Sequence, residues 1–103
     1  MTARVRFEDE AAGEYREAGR WYESRRLALG LEFFDEVDST FRRIVAFPQA
    51  ATRVPGLPQD LPVRRAAVKR FPYHVVFLET PGTIRILAIA HDRRMPGYWV
   101  KRL

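Results

Sequence analysis

The chain has 103 residues, 47% of them hydrophobic and 30% charged, and no cysteine. That length is one domain, spanning residues 1–103. The balance of apolar to charged residues excludes a wholly disordered chain, and the missing thiols exclude disulfides and thiolate zinc sites.

The net charge of +5 is unevenly held: residues 1–50 carry 8 basic and 10 acidic groups, and residues 51–103 carry 10 basic and 3 acidic groups. Of the 18 basic residues all but Lys69 and Lys101 are arginine, the side chain that grips carboxylate and phosphate through paired hydrogen bonds. A high-GC genome also enriches arginine, so the bias supports an anionic partner, nucleic acid or acidic protein, only weakly. No apolar run reaches the length of a membrane span, and Met1–Glu10 lacks the apolar centre of a signal peptide. No membrane association and a cytoplasmic location are expected.

Ala3–Phe7 alternates and is read as a first strand. From Asp9 to Arg26 the spacing of Ala11, Tyr15, Ala18 and Tyr22 marks one face of a helix. Glu14, Arg16, Glu17, Arg20 and Glu23 are assigned to its solvent side, and Trp21 to docking against a neighbour. Gly30 is taken as the break. A second helix, Leu31–Phe47, carries an apolar stripe of Phe33, Phe34, Val37, Phe41, Ile44 and Val45, and Pro48 stops it. Residues 49–62, with Pro55, Gly56, Pro58 and Pro62, are read as a loop.

Three strands follow: Val63–Arg70, Tyr73–Glu79 and Thr83–Ala90. Pro81-Gly82 fits a type II turn joining the last two into an antiparallel hairpin. The tail from Met95 opens with a Pro96-Gly97 turn. The order β-α-α-β-β-β predicts an α+β domain, a helical hairpin packed on one face of a largely antiparallel four-stranded sheet.

There is no glycine-rich phosphate loop and no HExxH motif. His74 and His91 are too few and too far apart for a metal site, so no metal and no cofactor are expected. Ser24 and Ser39 lie on helices with no nucleophile-elbow context. The remaining chemistry gathers at His91-Asp92-Arg93-Arg94, Tyr98, Trp99, Lys101 and Arg102. Arginine beside aromatic rings suits RNA, and a histidine there can move protons during phosphodiester cleavage. The plainer alternative is that Tyr98 and Trp99 pin the tail to the sheet and His91 is a hydrogen-bonded strand end. Arg64, Arg65, Lys69 and Arg70 alternate along their strand, either as an ordinary solvated face or as a basic surface for phosphates or an acidic peptide.

In its order of motifs the chain resembles toxins of the RelE/ParE superfamily of bacterial type II toxin–antitoxin systems. The motifs are Trp21-Tyr22-Glu23, Leu29-Gly30 with Phe33, Phe47-Pro48, Arg64-Arg65, Arg70-Phe71-Pro72-Tyr73, and the ending His91, Arg94, Pro96, Trp99, Arg102. The paired helices resemble the ParE-like branch. The resemblance implies a growth-inhibiting toxin bound by a cognate antitoxin in a hetero-oligomer. In the ParE-like branch the target is DNA gyrase and no catalytic residue is required; Arg64, Arg65, Lys69, Arg70, Arg93 and Arg94 would then contact target or antitoxin. In the RelE-like alternative the target is mRNA, on the ribosome or free, and the catalytic set would be His91, Tyr98, Arg65, Lys69, Arg70 and Arg94. RelE-like members carry lysines in and before the second strand and an arginine six residues before the catalytic tyrosine. Here Lys69 is the only lysine in that region, and Asp92 stands in the arginine's place if Tyr98 is the tyrosine. A carboxylate there opposes an anionic transition state, which favours the ParE-like reading.

Overall fold

The computed structural model describes residues 4–103. Ala3, assigned above to the first strand, lies outside the described residues. The elements are β1 (Arg4–Phe7), α1 (Asp9–Arg25), α2 (Leu29–Ala46), β2 (Thr52–Arg53), β3 (Val63–Ala67), β4 (Tyr73–Thr80) and β5 (Thr83–His91). Short 3-10 turns occupy Pro48–Ala50 and Val100–Arg102.

The strands form one five-stranded sheet in the order β1-β5-β4-β3-β2. The α+β architecture and the helical hairpin are as expected. The sheet has one strand more than expected, because the segment read wholly as loop contains β2, which pairs Thr52 with Arg65 and Arg53 with Arg64. Two residues are too few for an alternating pattern to register. β1 runs parallel to β5, pairing Arg4 with Thr83 through Phe7 with Ile86; all other neighbours are antiparallel. The β4–β5 turn closes on the Thr80–Thr83 pair, and Gly82 takes the positive φ of 73° that the turn demands.

The helix break falls before Gly30, not at it. Arg26 ends α1, and Ala28 takes φ 70°. Glu23 then caps α2, its carboxylate accepting the backbone N–H groups of Ala28 and Gly30 at 2.9 and 3.0 Å. Gly30 lies inside α2 where the two helices cross: a Cβ on it would stand 2.5 Å from the Gly19 carbonyl oxygen. The glycine is required for close approach rather than for a turn.

Both faces of the sheet are packed. Against the helices lie Val75, Phe77, Ile84, Ile86 and Ile89, meeting Ala11, Phe33, Val37 and Ile44. On the far face Val63, Val76, Leu78, Leu87, Ala88 and Ala90 are covered by Trp99, with Tyr98, Val54 and Leu57 at the margin. A bulge at Leu87, where Val76 faces Ala88 but Phe77 faces Ile86, puts two successive β5 residues on that far face. Trp21, expected to dock α1, is instead 52% exposed, with the Arg25 guanidinium 4.5 Å from its ring.

Candidate functional site: a carboxylate clasp at the open edge of the sheet

β1 is short, and its pairing with β5 stops at Ile86. Beyond that point the outer edge of β5 has backbone groups to satisfy, and side chains satisfy them. Glu14 on α1 accepts the Ile89 N–H at 3.1 Å through Oε1, and Arg102 donates to the Leu87 carbonyl at 2.9 Å. The two side chains also grip each other, with Arg102 Nη1 to Glu14 Oε1 at 2.9 Å and Nη2 to Oε2 at 3.1 Å. This bidentate pair is the strong geometry for arginine and carboxylate. Both side chains are largely buried, 9% exposed for Arg102 and 14% for Glu14.

Two further groups converge on the same carboxylate. The Tyr98 hydroxyl donates to Glu14 Oε2 at 2.6 Å, and Arg94 Nη1 approaches it at 3.3 Å. The Arg94 guanidinium also lies 3.8 Å from the centre of the Tyr98 ring. Burial, and then the Glu14 contact, push the Tyr98 phenol well above the ordinary tyrosine range. Tyr98 can therefore donate a proton in a hydrogen bond but is a poor general base near neutrality. For Arg102, burial works against the charge, and the Glu14 contacts outweigh it and raise the guanidinium above its usual value.

His91 sits on the helix side of the sheet, in a groove with Glu17, Trp21, Tyr73 and Arg94. Its ring meets that of Tyr73 edge-on at 5.0 Å, and its Nδ1 accepts the Arg93 N–H at 3.1 Å. That bond assigns the proton of the neutral ring to Nε2. Tyr98 faces a different hollow, on the far side, with Arg65, His74, Asp92 and Trp99. His74 and Asp92 are paired there, Nδ1 to Oδ1 at 2.9 Å. Arg94 borders both hollows.

A family model described as the ParE toxin of the type II toxin–antitoxin system parDE matches residues 5–96. The chain belongs to that family. No curated protein sequence matches it. Among solved structures, a chain of the chromosomal ParDE toxin–antitoxin system from P. aeruginosa superposes with a TM-score of 0.61 at 19% identity, covering 87% of this chain and 96% of that one. An arginine-to-alanine double mutant of the E. coli toxin RelE in its free state superposes with a TM-score of 0.68 at 15% identity, covering 100% and 99%. At these identities the likeness is one of fold.

Within this ParE-family chain the basic residues singled out from sequence do not form one surface. Arg64 turns to the Ala51 carbonyl at 2.7 Å and holds the loop before β2. The strand predicted over Val63–Arg70 stops at Ala67, so Lys69 and Arg70 lie in the turn after β3, with Arg70 at φ 71°. Arg70 pairs with Glu32 at 2.6 Å and with Glu36 on α2, and this contact, with that from Arg26, draws Glu32 below the usual carboxylate range. Arg65, Lys69 and Arg93 make no ion pair among the described residues.

Glu14 is the member of the site missed from sequence, where it was assigned to solvent. It stands three residues after Ala11 and four before Ala18, both buried, so the border of the apolar stripe was the available signal. Among the described residues no group of acidic and histidine side chains could hold a metal ion, and no helix is long and apolar enough to cross a membrane.

Proposed function

We propose that this ParE-family toxin inhibits growth by binding rather than by catalysis, poisoning DNA gyrase in the cytoplasm, and that a cognate antitoxin neutralises it. The observation that carries the reading is the occupancy of Glu14. A phosphodiester-cleaving site needs cations free to meet phosphate and a group able to take a proton. Here Arg94 and Arg102 already face a carboxylate, and the Tyr98 hydroxyl donates its proton to the same group. The arrangement fastens the tail and supplies no proton acceptor at Tyr98. Arg65, Lys69 and Arg93, with no ion pair among the described residues, are the basic side chains best placed to contact target or antitoxin.

The test is a purified gyrase reaction on supercoiled plasmid, using antitoxin-free protein shown to be folded. Accumulation of cleaved, gyrase-bound DNA is expected, and the His91→Ala variant should act like the wild type. No effect on gyrase, together with cleavage of mRNA on programmed ribosomes, would replace this reading with a RelE-like nuclease.

A further inference from the structure

β2 begins only at Thr52, and the chain reaches it through the 3-10 turn Pro48–Ala50 instead of running along β3 from Ala67. A notch remains where a longer strand would lie, between the last turn of α2 and the β3 residues Ala66 and Ala67. It has a volume of about 320 Å3. Its apolar surface comes from Ile44, Phe47, Ala51 and Ala66, and Phe47 is 73% exposed at its rim. Its charged lining is Arg43 and Arg65, with no acidic residue.

Neither arginine meets a carboxylate among the described residues. Arg43 Nη2 donates to the Thr40 hydroxyl at 3.2 Å and the Ala67 carbonyl at 3.1 Å. The latter bond caps one backbone acceptor of β3 just where β2 gives out. Arg53 alongside reaches only the Gln59 carbonyl, at 3.0 Å. By contrast Arg26, Arg70, Arg85, Arg94 and Arg102 are all paired with acidic side chains. Arg43 and Arg65, neither of them paired with a carboxylate, thus flank an exposed aromatic ring at the edge of a sheet. This combination fits a chain segment that supplies one apolar anchor and flanking carboxylates.

We propose that this notch is the seat of an acidic segment of the antitoxin, whose apolar side chain packs on Phe47 and Ile44 while its carboxylates meet Arg43 and Arg65. The inference rests on reading the chain as a toxin held by an antitoxin, and adds the place and the chemistry of the contact.

The experiment measures binding of the purified co-encoded antitoxin to the full-length chain and to Phe47→Ser and Arg65→Glu, with Leu27→Ser and Arg16→Glu as controls at exposed positions on the helical hairpin. Circular dichroism checks that each variant is folded. Affinity should fall at least tenfold for Phe47→Ser and for Arg65→Glu and stay unchanged for the controls. The salt dependence of binding should weaken for Arg65→Glu alone. Wild-type affinity in both notch variants would overturn the proposed seat while leaving the antitoxin reading standing. A wild-type chain that does not bind the co-encoded protein would overturn both.

Discussion

The Tyr98 hydroxyl and the Glu14 carboxylate, 84 residues apart in sequence, meet at 2.6 Å. Through that contact the first helix holds the end of the chain. Glu14 also accepts the Ile89 N–H and the Arg102 guanidinium, so removing it leaves a buried cation and a strand-edge donor unpaired. Glu14→Ala should cost about 2–4 kcal/mol. Urea denaturation followed by tryptophan fluorescence would read this as a lower midpoint. A variant as stable as the wild type would mean that water replaces the carboxylate at no cost.

Trp99 is 3% exposed and covers the far face of the sheet. Trp99→Ala should lose about 3–5 kcal/mol, more than Val100→Ala, whose side chain is partly exposed. Thermal unfolding of the two variants side by side tests the ranking. Equal melting temperatures would show that the tail contributes little to the fold.

The crossing of the helices predicts opposite signs for two glycine substitutions. Gly30→Ala drives a methyl group into the Gly19 carbonyl, and the repacking should cost about 1–3 kcal/mol. Gly13, also helical, has nothing within 4 Å of an added Cβ. There alanine should stabilise by about 0.4–1 kcal/mol through backbone entropy and helix propensity. Both are measured as shifts of the denaturation midpoint, and a stabilising Gly30→Ala would contradict the close approach.

Alkaline titration gives a fourth prediction. Burial raises the Tyr73 phenol to about 12, helped by Tyr22 and Glu14, and Tyr98 is raised as well. Unfolded tyrosine ionises near 10. Between these values the unfolded chain binds fewer protons than the folded one, so stability falls with rising pH. The contribution is complete below about pH 10 and is lost as pH climbs through about 12. Denaturation midpoints measured across that range should drop, and less steeply for Tyr73→Phe. A flat profile would mean that these phenols ionise freely in the folded state.

Sequence carried much of the fold and little of the site. The hairpin was legible because Pro81-Gly82 is a local signal between two apolar runs, and the helices because their stripes repeat within a few residues. β2 escaped because two paired residues have no periodicity. Gly30 was read as punctuation because a glycine needed for helix contact and one needed for a turn look the same in one dimension. The basic residues divided for a similar reason. Nothing local to Arg70 announces Glu32, and nothing local to Arg64 announces the Ala51 carbonyl. Glu14 was hardest of all, since its partners are contributed by residues at the other end of the chain.

The parallel pairing of β1 with β5 bears on how the protein is made. The first strand has no partner until the last strand exists, and the Glu14 contacts await Arg102. During synthesis, at roughly 5–20 residues per second, the emerging chain can form its helical hairpin but cannot close its sheet. Completion waits until β5 and Arg102 have left the ribosome. The helical hairpin is therefore formed before the sheet edge that the Glu14 contacts close, and a chain in synthesis has an interval in which its helices are exposed without their sheet.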